Sequence, residues 1–150
     1  MARSNVEGMT ASSPAIKRLL VFTFVIGVFG STAELLLLGH IEGWEQMIPV
    51  ALLALSVVVL IVHALKCTWA TSAVFLMTMW LFIISGAVGV ALHFQGNAEF
   101  EREMYPEMNE LELVQKTMTG ATPVLAPGTM ALLGLVGLAY LRVTDHVRAN

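Results

Sequence analysis

"AVFLMTMWLFIISGAVGVAL" (Ala73–Leu92) is twenty residues long and contains no ionisable side chain. An α-helix rises about 1.5 Å per residue, so a run of about 20 apolar residues spans the roughly 30 Å of hydrocarbon in a bilayer. In hydrocarbon the backbone must satisfy its own hydrogen bonds, and a helix does so within one segment. The stretch therefore predicts a transmembrane helix.

Three further runs have the same character, at 19–39, 47–65 and 123–141, and only the first of them contains a charged residue, Glu34. The connections between the first three runs are short, which favours neighbouring antiparallel helices. Hydrophobic residues make up 57% of the chain and charged residues 13%, a balance suited to lipid rather than to a soluble domain. We therefore expect an all-α membrane protein, an antiparallel four-helix transmembrane bundle.

The remaining segments are polar. We expect flexible cytoplasmic tails at 1–18 and 142–150, and a long, partly helical outer loop at 93–122 between helices 3 and 4. The start of the first run has the basic flank and small residues of a secretion signal, but its apolar stretch continues to a full span. The first run is thus interpreted as an uncleaved helix.

The distribution of charge predicts the orientation, because Lys and Arg collect on the cytoplasmic side of membrane proteins. Six of the eight basic residues lie before the first run, between the second and third, or after the fourth. The segment 93–120 contains six of the eleven acidic residues and only Arg102 and Lys116 as basic ones. Both termini are therefore expected in the cytoplasm and the acidic segment outside. The mild net charge of −3 speaks against nucleic acid as a partner.

The outer loop has a helical pattern of its own. From Pro106, the sequence "PEMNELELVQKTM" predicts a short helix with Met108, Leu111, Val114 and Met118 on one face. We expect this helix to lie on the membrane surface over the bundle. The alternative is a docking surface for a partner protein, with contact residues Glu99, Glu101, Glu103 and Tyr105.

Small residues recur at spacings of three and four in the apolar runs and predict close helix contacts. They are Gly27, Gly30 and Ser31 on the first helix, Gly86 and Gly89 on the third, and Gly134 and Gly137 on the fourth. The first stripe continues to Glu34 and the third-helix stripe to His93. Glu34 is therefore expected to point into the bundle, and the two side chains to form an intramembrane polar pair.

An ionisable residue inside a span indicates function by default, so alternatives to a structural pair stay open. Glu34, His93 and His40 could instead hold a metal or haem, since imidazole and carboxylate suit zinc, iron or copper. They could also serve the transport of a proton or a small solute. No cofactor is required by the sequence, and the single Cys67 excludes a Cys-rich metal site.

Motifs of hydrolases, metalloproteases, phosphate-binding loops and paired cysteines are absent from the sequence. A non-catalytic role is therefore favoured, as an accessory or scaffolding subunit that packs in the bilayer with other membrane subunits or with copies of itself. The segments "GHIEGWEQMIPV", "GNAEFEREMYP" and "GATPVLAPGTMALLGLVGLAY" together resemble a family of small uncharacterised bacterial four-span integral membrane proteins. That resemblance implies a four-span topology and the bacterial inner membrane, and it implies no activity.

Overall fold

The helices of the chain account for most of its length. In this computed structural model the backbone is described for residues 2–120 and 122–149, and side chains for 14–120 and 122–144. Five helices follow one another, and no strand occurs in the described residues: α1 (Ala2–Leu37), α2 (Trp44–Lys66), α3 (Trp69–Met104), α4 (Glu110–Met118) and α5 (Gly128–Ala149). The prediction of an all-helical fold is confirmed.

Three of the helices contain segments long and apolar enough to cross a membrane: Pro14–Leu37, Trp44–Lys66 and Trp69–Met104. The fourth apolar helical segment, Gly128–Thr144, is shorter. The backbone of 2–18 and 142–149 belongs to α1 and α5, and the side chains of 1–13 and 145–150 lie outside the described residues, so the flexibility of the two tails stays a prediction.

The fourth run differs from its predicted bounds. The sequence predicts a helix from Pro123, whereas α5 begins at Gly128 and the residues before it form turns. The amides of Ala126 and Gly128 donate to carbonyls three residues earlier, at 3.2 and 2.9 Å. Proline has no amide hydrogen to donate and restricts the residue before it, so Pro127 holds the chain in turns until the helix can begin.

The third helix is longer than predicted. The outer loop was expected to begin at residue 93, but α3 continues to Met104, twelve residues beyond Leu92. Polar residues end the apolar run without ending the helix, because Glu, Gln and Arg are good helix formers. The helix ends just before Tyr105 and Pro106, where a following proline disfavours helical backbone.

Residues 93–118 fold as a pair of packed helical segments, here called the acidic hairpin. Asn109 caps α4 by accepting the amide of Glu112 at 3.0 Å, so the helix starts later than Pro106. Arg102 lies 3.9 Å from Glu110 at one end of α4, and Asn97 is bonded to the Thr117 carbonyl at the other. The helix expected to lie over the bundle therefore runs back along α3.

Aromatic and sulfur-containing side chains fill the core between the long helices. Phe24 of α1 lies between two rings of α3, with centroid distances of 6.3 Å to Phe75 and 6.2 Å to Phe82. Met79 and Leu53 are fully buried beside them. The core thus joins α1, α2 and α3, and α5 closes it through Met130, Leu133, Tyr140 and Leu141.

Two connections are built from local chemistry. Gly39 has a φ of 64°, a left-handed conformation that glycine adopts without strain, and it turns the chain out of α1. Between α2 and α3 the Thr68 hydroxyl accepts the amide of Thr71 at 3.2 Å. The Thr71 hydroxyl in turn accepts the amide of Thr68 at 2.9 Å. This reciprocal cap starts α3 with only two residues between it and the end of α2.

Candidate functional site

The predicted helix-contact positions lie in two different environments. A Cβ added at Gly86 would be 2.6 Å from the Ala131 amide nitrogen, and one at Gly89 would be 2.6 Å from Pro127. A Cβ at Gly134 would be 2.7 Å from the Met79 carbonyl oxygen. These glycines therefore allow α3 and α5 to approach closely.

On α5, Gly137 likewise faces Met79. On α1, Gly27 faces Leu133 of α5, whereas Gly30 has nothing within 4 Å of an added Cβ and Ser31 is half-buried. The small-residue stripe of the first helix therefore contacts α5 at Gly27, where the stripe begins. At Gly30 the stripe has no neighbouring helix against it.

Glu34 lies in the open part of that stripe. Its side chain is exposed, about one turn before α1 ends at Leu37. Phe24 and Val28 occupy the inward face of α1, and at 3.6 residues per turn Glu34 is about 100° round the helix from their line. The expectation that Glu34 points into the bundle is therefore not met, because large apolar side chains take the inward face.

His93 bonds to a different partner from the one predicted. Its Nδ1 lies 3.2 Å from the carbonyl oxygen of Pro123, so the side chain ties α3 to the turns before α5. Since a carbonyl oxygen only accepts, Nδ1 is the donor, and the neutral ring presents Nε2 as an acceptor. The predicted bond between His93 and Glu34 is not among the contacts of the described side chains.

The second predicted imidazole lies near the first. The ring centroids of His40 and His93 are 6.3 Å apart, which brings the turn after α1 beside α3. Among the described residues there is no group of three or more His, Cys, Asp or Glu side chains arranged to hold a metal ion. The structure thus brings two of the three predicted ligands together and leaves Glu34 on the exposed face of α1.

The best-connected polar residue of the acidic hairpin is Asn97, which the sequence analysis did not single out. Its Nδ2 donates to the carbonyls of Thr117 at 2.9 Å and Thr122 at 2.8 Å. Its Oδ1 accepts the Thr122 hydroxyl at 2.6 Å and the Thr122 amide at 3.3 Å. One buried amide therefore holds α3, the end of α4 and the chain leading to α5. Its only sequence signal is a polar residue four positions after His93.

The predicted docking residues divide between surface and interior. Glu99, Glu103 and Tyr105 are exposed, but Glu101 is buried, with 8% of its surface accessible. Its Oε2 and the hydroxyl of Thr117 have no hydrogen-bond partner among the described residues. Glu101 therefore belongs to the contact between α3 and α4, and a docking partner would not reach it.

A second buried cluster lies at the other end of the helices. The His63 ring stacks on Phe75 with centroids 5.3 Å apart and meets the edge of Tyr140 at 5.9 Å. The Sγ of Cys67 is 4.0 Å from Nε2 of His63. Lys17 extends from α1 to within 5.7 Å of the Tyr140 ring centroid. These contacts join α1, α2, α3 and α5.

Comparison with family models, curated proteins and solved structures finds no match to this chain. The class of the protein therefore follows from its own features. It is a helical protein in which three helices are long and apolar enough to cross a membrane. Hydroxyl groups such as those of Ser56 and Thr78 are buried within those helices.

Proposed function

We propose that the chain is a four-span antiparallel protein of the bacterial inner membrane with both termini in the cytoplasm. The fourth span would be Gly128–Thr144, whose 17 residues reach about 25 Å, the short end of what crosses a bilayer. The contacts of α3 with α5 support opposite directions, since Gly86 lies near Ala131 whereas Met79 lies near Gly137.

Contacts at both ends of the helices support the same topology. Lys17 near the start of the first span contacts Tyr140 near the end of the last, so these two ends share a side. His40 and His93 share the other side, together with the acidic hairpin. Because six of eight basic residues then lie with the termini, that side is expected to be cytoplasmic.

The function that the geometry supports best is that of a non-catalytic accessory or scaffolding subunit, in a membrane complex or a homo-oligomer. The observation that carries this proposal is the exposed face of α1, where Gly30 is open and Glu34 is exposed one turn further on. Only 11% of the α1 span is buried within the chain, against 28% for α2 and for α3. Among these three helices, α1 is therefore the one on which a partner helix has most to cover.

The physical reason is the behaviour of a carboxyl group in lipid. An acidic residue at the centre of a span costs about 2.5–3.5 kcal/mol and less towards its ends, so such groups generally find partners. A glycine one turn away lets a second backbone approach closely enough to supply a hydrogen bond. Glu34 and Gly30 together thus favour a neighbouring helix from another subunit or another copy.

Site-directed disulfide crosslinking tests the proposal in native membranes. In a Cys67→Ser background, a cysteine at Gly30 or at Ile26, on the same side of α1, is expected to crosslink the chain to its partner. A cysteine at Val88, exposed on α3, is the matched control and should crosslink much less. The mass of the product separates a second copy from another subunit. Equal crosslinking at Gly30 and Val88 would reject this face as an interface.

A second candidate is metal binding by His40 and His93, favoured by the proximity of their rings. The bond from His93 Nδ1 to a backbone carbonyl orients Nε2 as metal-binding histidines require. Waters or residues from a partner would have to complete the coordination. Metal analysis and zinc titration of the purified protein test this candidate. Stoichiometric zinc lost in both His40→Ala and His93→Ala supports it, and no bound zinc in the wild type rejects it.

A further inference from the structure

The acidic hairpin buries polar side chains and exposes apolar ones. On α4 the residues turned to α3 are Leu113 and Thr117, and across from them α3 contributes Asn97 and Glu101. On another side of α4, Leu111 is 80% exposed, Val114 47% and Met118 41%. An amphipathic helix normally buries its apolar stripe. Here the described residues leave most of Leu111 and nearly half of Val114 and Met118 uncovered, and these three residues are called the stripe, Leu111–Val114–Met118.

The bilayer is poorly placed to cover the stripe. The helix α4 runs back along α3, and Arg102, which lies opposite Glu110, is ten residues beyond Leu92, where the uncharged apolar run Ala73–Leu92 ends. At 1.5 Å per residue the Leu111 end of the stripe is then about 15 Å beyond the hydrocarbon. The stripe continues down the hairpin for about two turns, so it faces the aqueous phase along most of its length.

The charge of the hairpin indicates what kind of molecule would cover the stripe. Residues 93–120 contain six acidic side chains and two basic ones, and both basic groups have partners within the hairpin. Arg102 lies 3.9 Å from Glu110, and the Lys116 ammonium lies 4.7 Å from the Tyr105 ring centroid. A second copy would bring like charges together, and anionic lipid headgroups would be repelled.

We propose that the stripe is the docking site for a basic amphipathic helix of a partner protein. Its apolar face would cover Leu111, Val114 and Met118, the spacing by which a helix is recognised in a groove or on another helix. Its Lys or Arg residues would pair with exposed acidic groups such as Glu103, Glu107 and Glu112. This inference rests on the proposed role as a subunit and names the chemistry of the partner.

Peptide binding to the full chain in zwitterionic nanodiscs tests the proposal. The probe is a fluorescent 14-residue helix of leucine and lysine with all leucines on one face. Its controls are a scrambled peptide of the same composition and a leucine–glutamate counterpart. We expect the probe to bind at least tenfold more tightly than either control and than to empty nanodiscs. Equal binding to empty nanodiscs would mean adsorption to lipid and would overturn the proposal.

Variants of the chain localise the binding. The double substitution Leu111→Ser with Val114→Ser is expected to weaken binding of the probe at least tenfold. Leu38→Ser, at an exposed leucine outside the hairpin, should leave binding unchanged. All three positions are exposed, and thermal unfolding of each variant verifies its fold. Unchanged binding in the double variant would overturn the docking site.

Crosslinking through Gly30 in the same variants separates this inference from the proposed function. The double variant is expected to retain that crosslink, because the α1 face is in the membrane. A retained crosslink with unchanged peptide binding overturns the docking site alone. If a cysteine at Gly30 crosslinks no more than one at Val88 in the chain with an unchanged stripe, the subunit role is overturned, together with the inference that rests on it.

Discussion

Replacing Gly86 by alanine is expected to destabilise the protein, whereas the same replacement at Gly30 is not. The Cβ at Gly86 would lie 2.6 Å from the Ala131 nitrogen and 3.0 Å from the Pro127 oxygen, both backbone atoms. Backbone cannot move aside as a flexible side chain can, so α3 and α5 must separate. At Gly30 the same methyl group meets nothing within 4 Å.

The magnitudes follow from two opposing effects. Overpacking a close contact costs about 1–3 kcal/mol. Alanine in place of glycine within a helix recovers about 0.5–1 kcal/mol of conformational entropy. The net loss for Gly86→Ala is then between zero and about 2.5 kcal/mol. Gly30→Ala has only the entropic gain and no overpacking cost. The unfolding free energies of the two variants should therefore differ by the overpacking cost, about 1–3 kcal/mol.

Unfolding in mixed detergent micelles, with added SDS as denaturant and circular dichroism as the signal, measures both variants against the wild type. The protein is used in detergent at low concentration, so that a partner on the α1 face does not contribute. Gly86→Ala should unfold at lower SDS and Gly30→Ala at equal or higher SDS. Identical midpoints for the two variants would refute the close approach of α3 and α5 at Gly86.

Three other predictions concern single side chains. Asn97→Ala removes four hydrogen bonds and should lower local stability by about 1–3 kcal/mol, measured as faster amide exchange at 113–122. The control Gln95→Ala removes an exposed hydrogen bond and should change the exchange rate little. Equal exchange rates in the two variants would contradict the role of Asn97. Thr68→Ala removes the cap of α3 and should lower unfolding stability by about 0.5–2 kcal/mol, with rescue by Thr68→Ser. Glu34→Gln should leave the unfolding free energy of the isolated chain within about 0.5 kcal/mol of the wild-type value. The same substitution should weaken crosslinking through a cysteine at Gly30. A large loss of stability in detergent would place Glu34 in an internal contact.

The helical character of the chain and the approximate position of its apolar helices follow from composition alone. Peptide groups in hydrocarbon must bond within their own segment, so a long uncharged run such as Ala73–Leu92 has one stable conformation. The structure has an apolar helix over each of the four runs, and the described apolar part of the fourth helix, Gly128–Thr144, is shorter than the segments of the other three. The end of α3 and the start of α5 do not follow from composition. They are set by the local backbone effects of Pro106 and Pro127.

The direction in which polar residues point was decided by tertiary packing. A spacing of three and four places Gly27, Gly30 and Glu34 near one another on α1, but it does not say which neighbour that side meets. Phe24 packs between Phe75 and Phe82 and so sets the rotation of α1, leaving Glu34 exposed. His93 likewise bonds to Pro123, a residue thirty positions away that only the fold brings near.

The acidic segment shows the same division. Its charge and its short helix are properties of the sequence, and they predict a polar region outside the membrane. Its shape depends on Asn97, whose single side chain bonds to Thr117 and Thr122, which are 20 and 25 positions further along the chain. Periodicity reports only which residues share a side of one helix, because it contains no information about distant segments. The packing of α4 on α3, and with it the exposed stripe, therefore appears only in the tertiary structure.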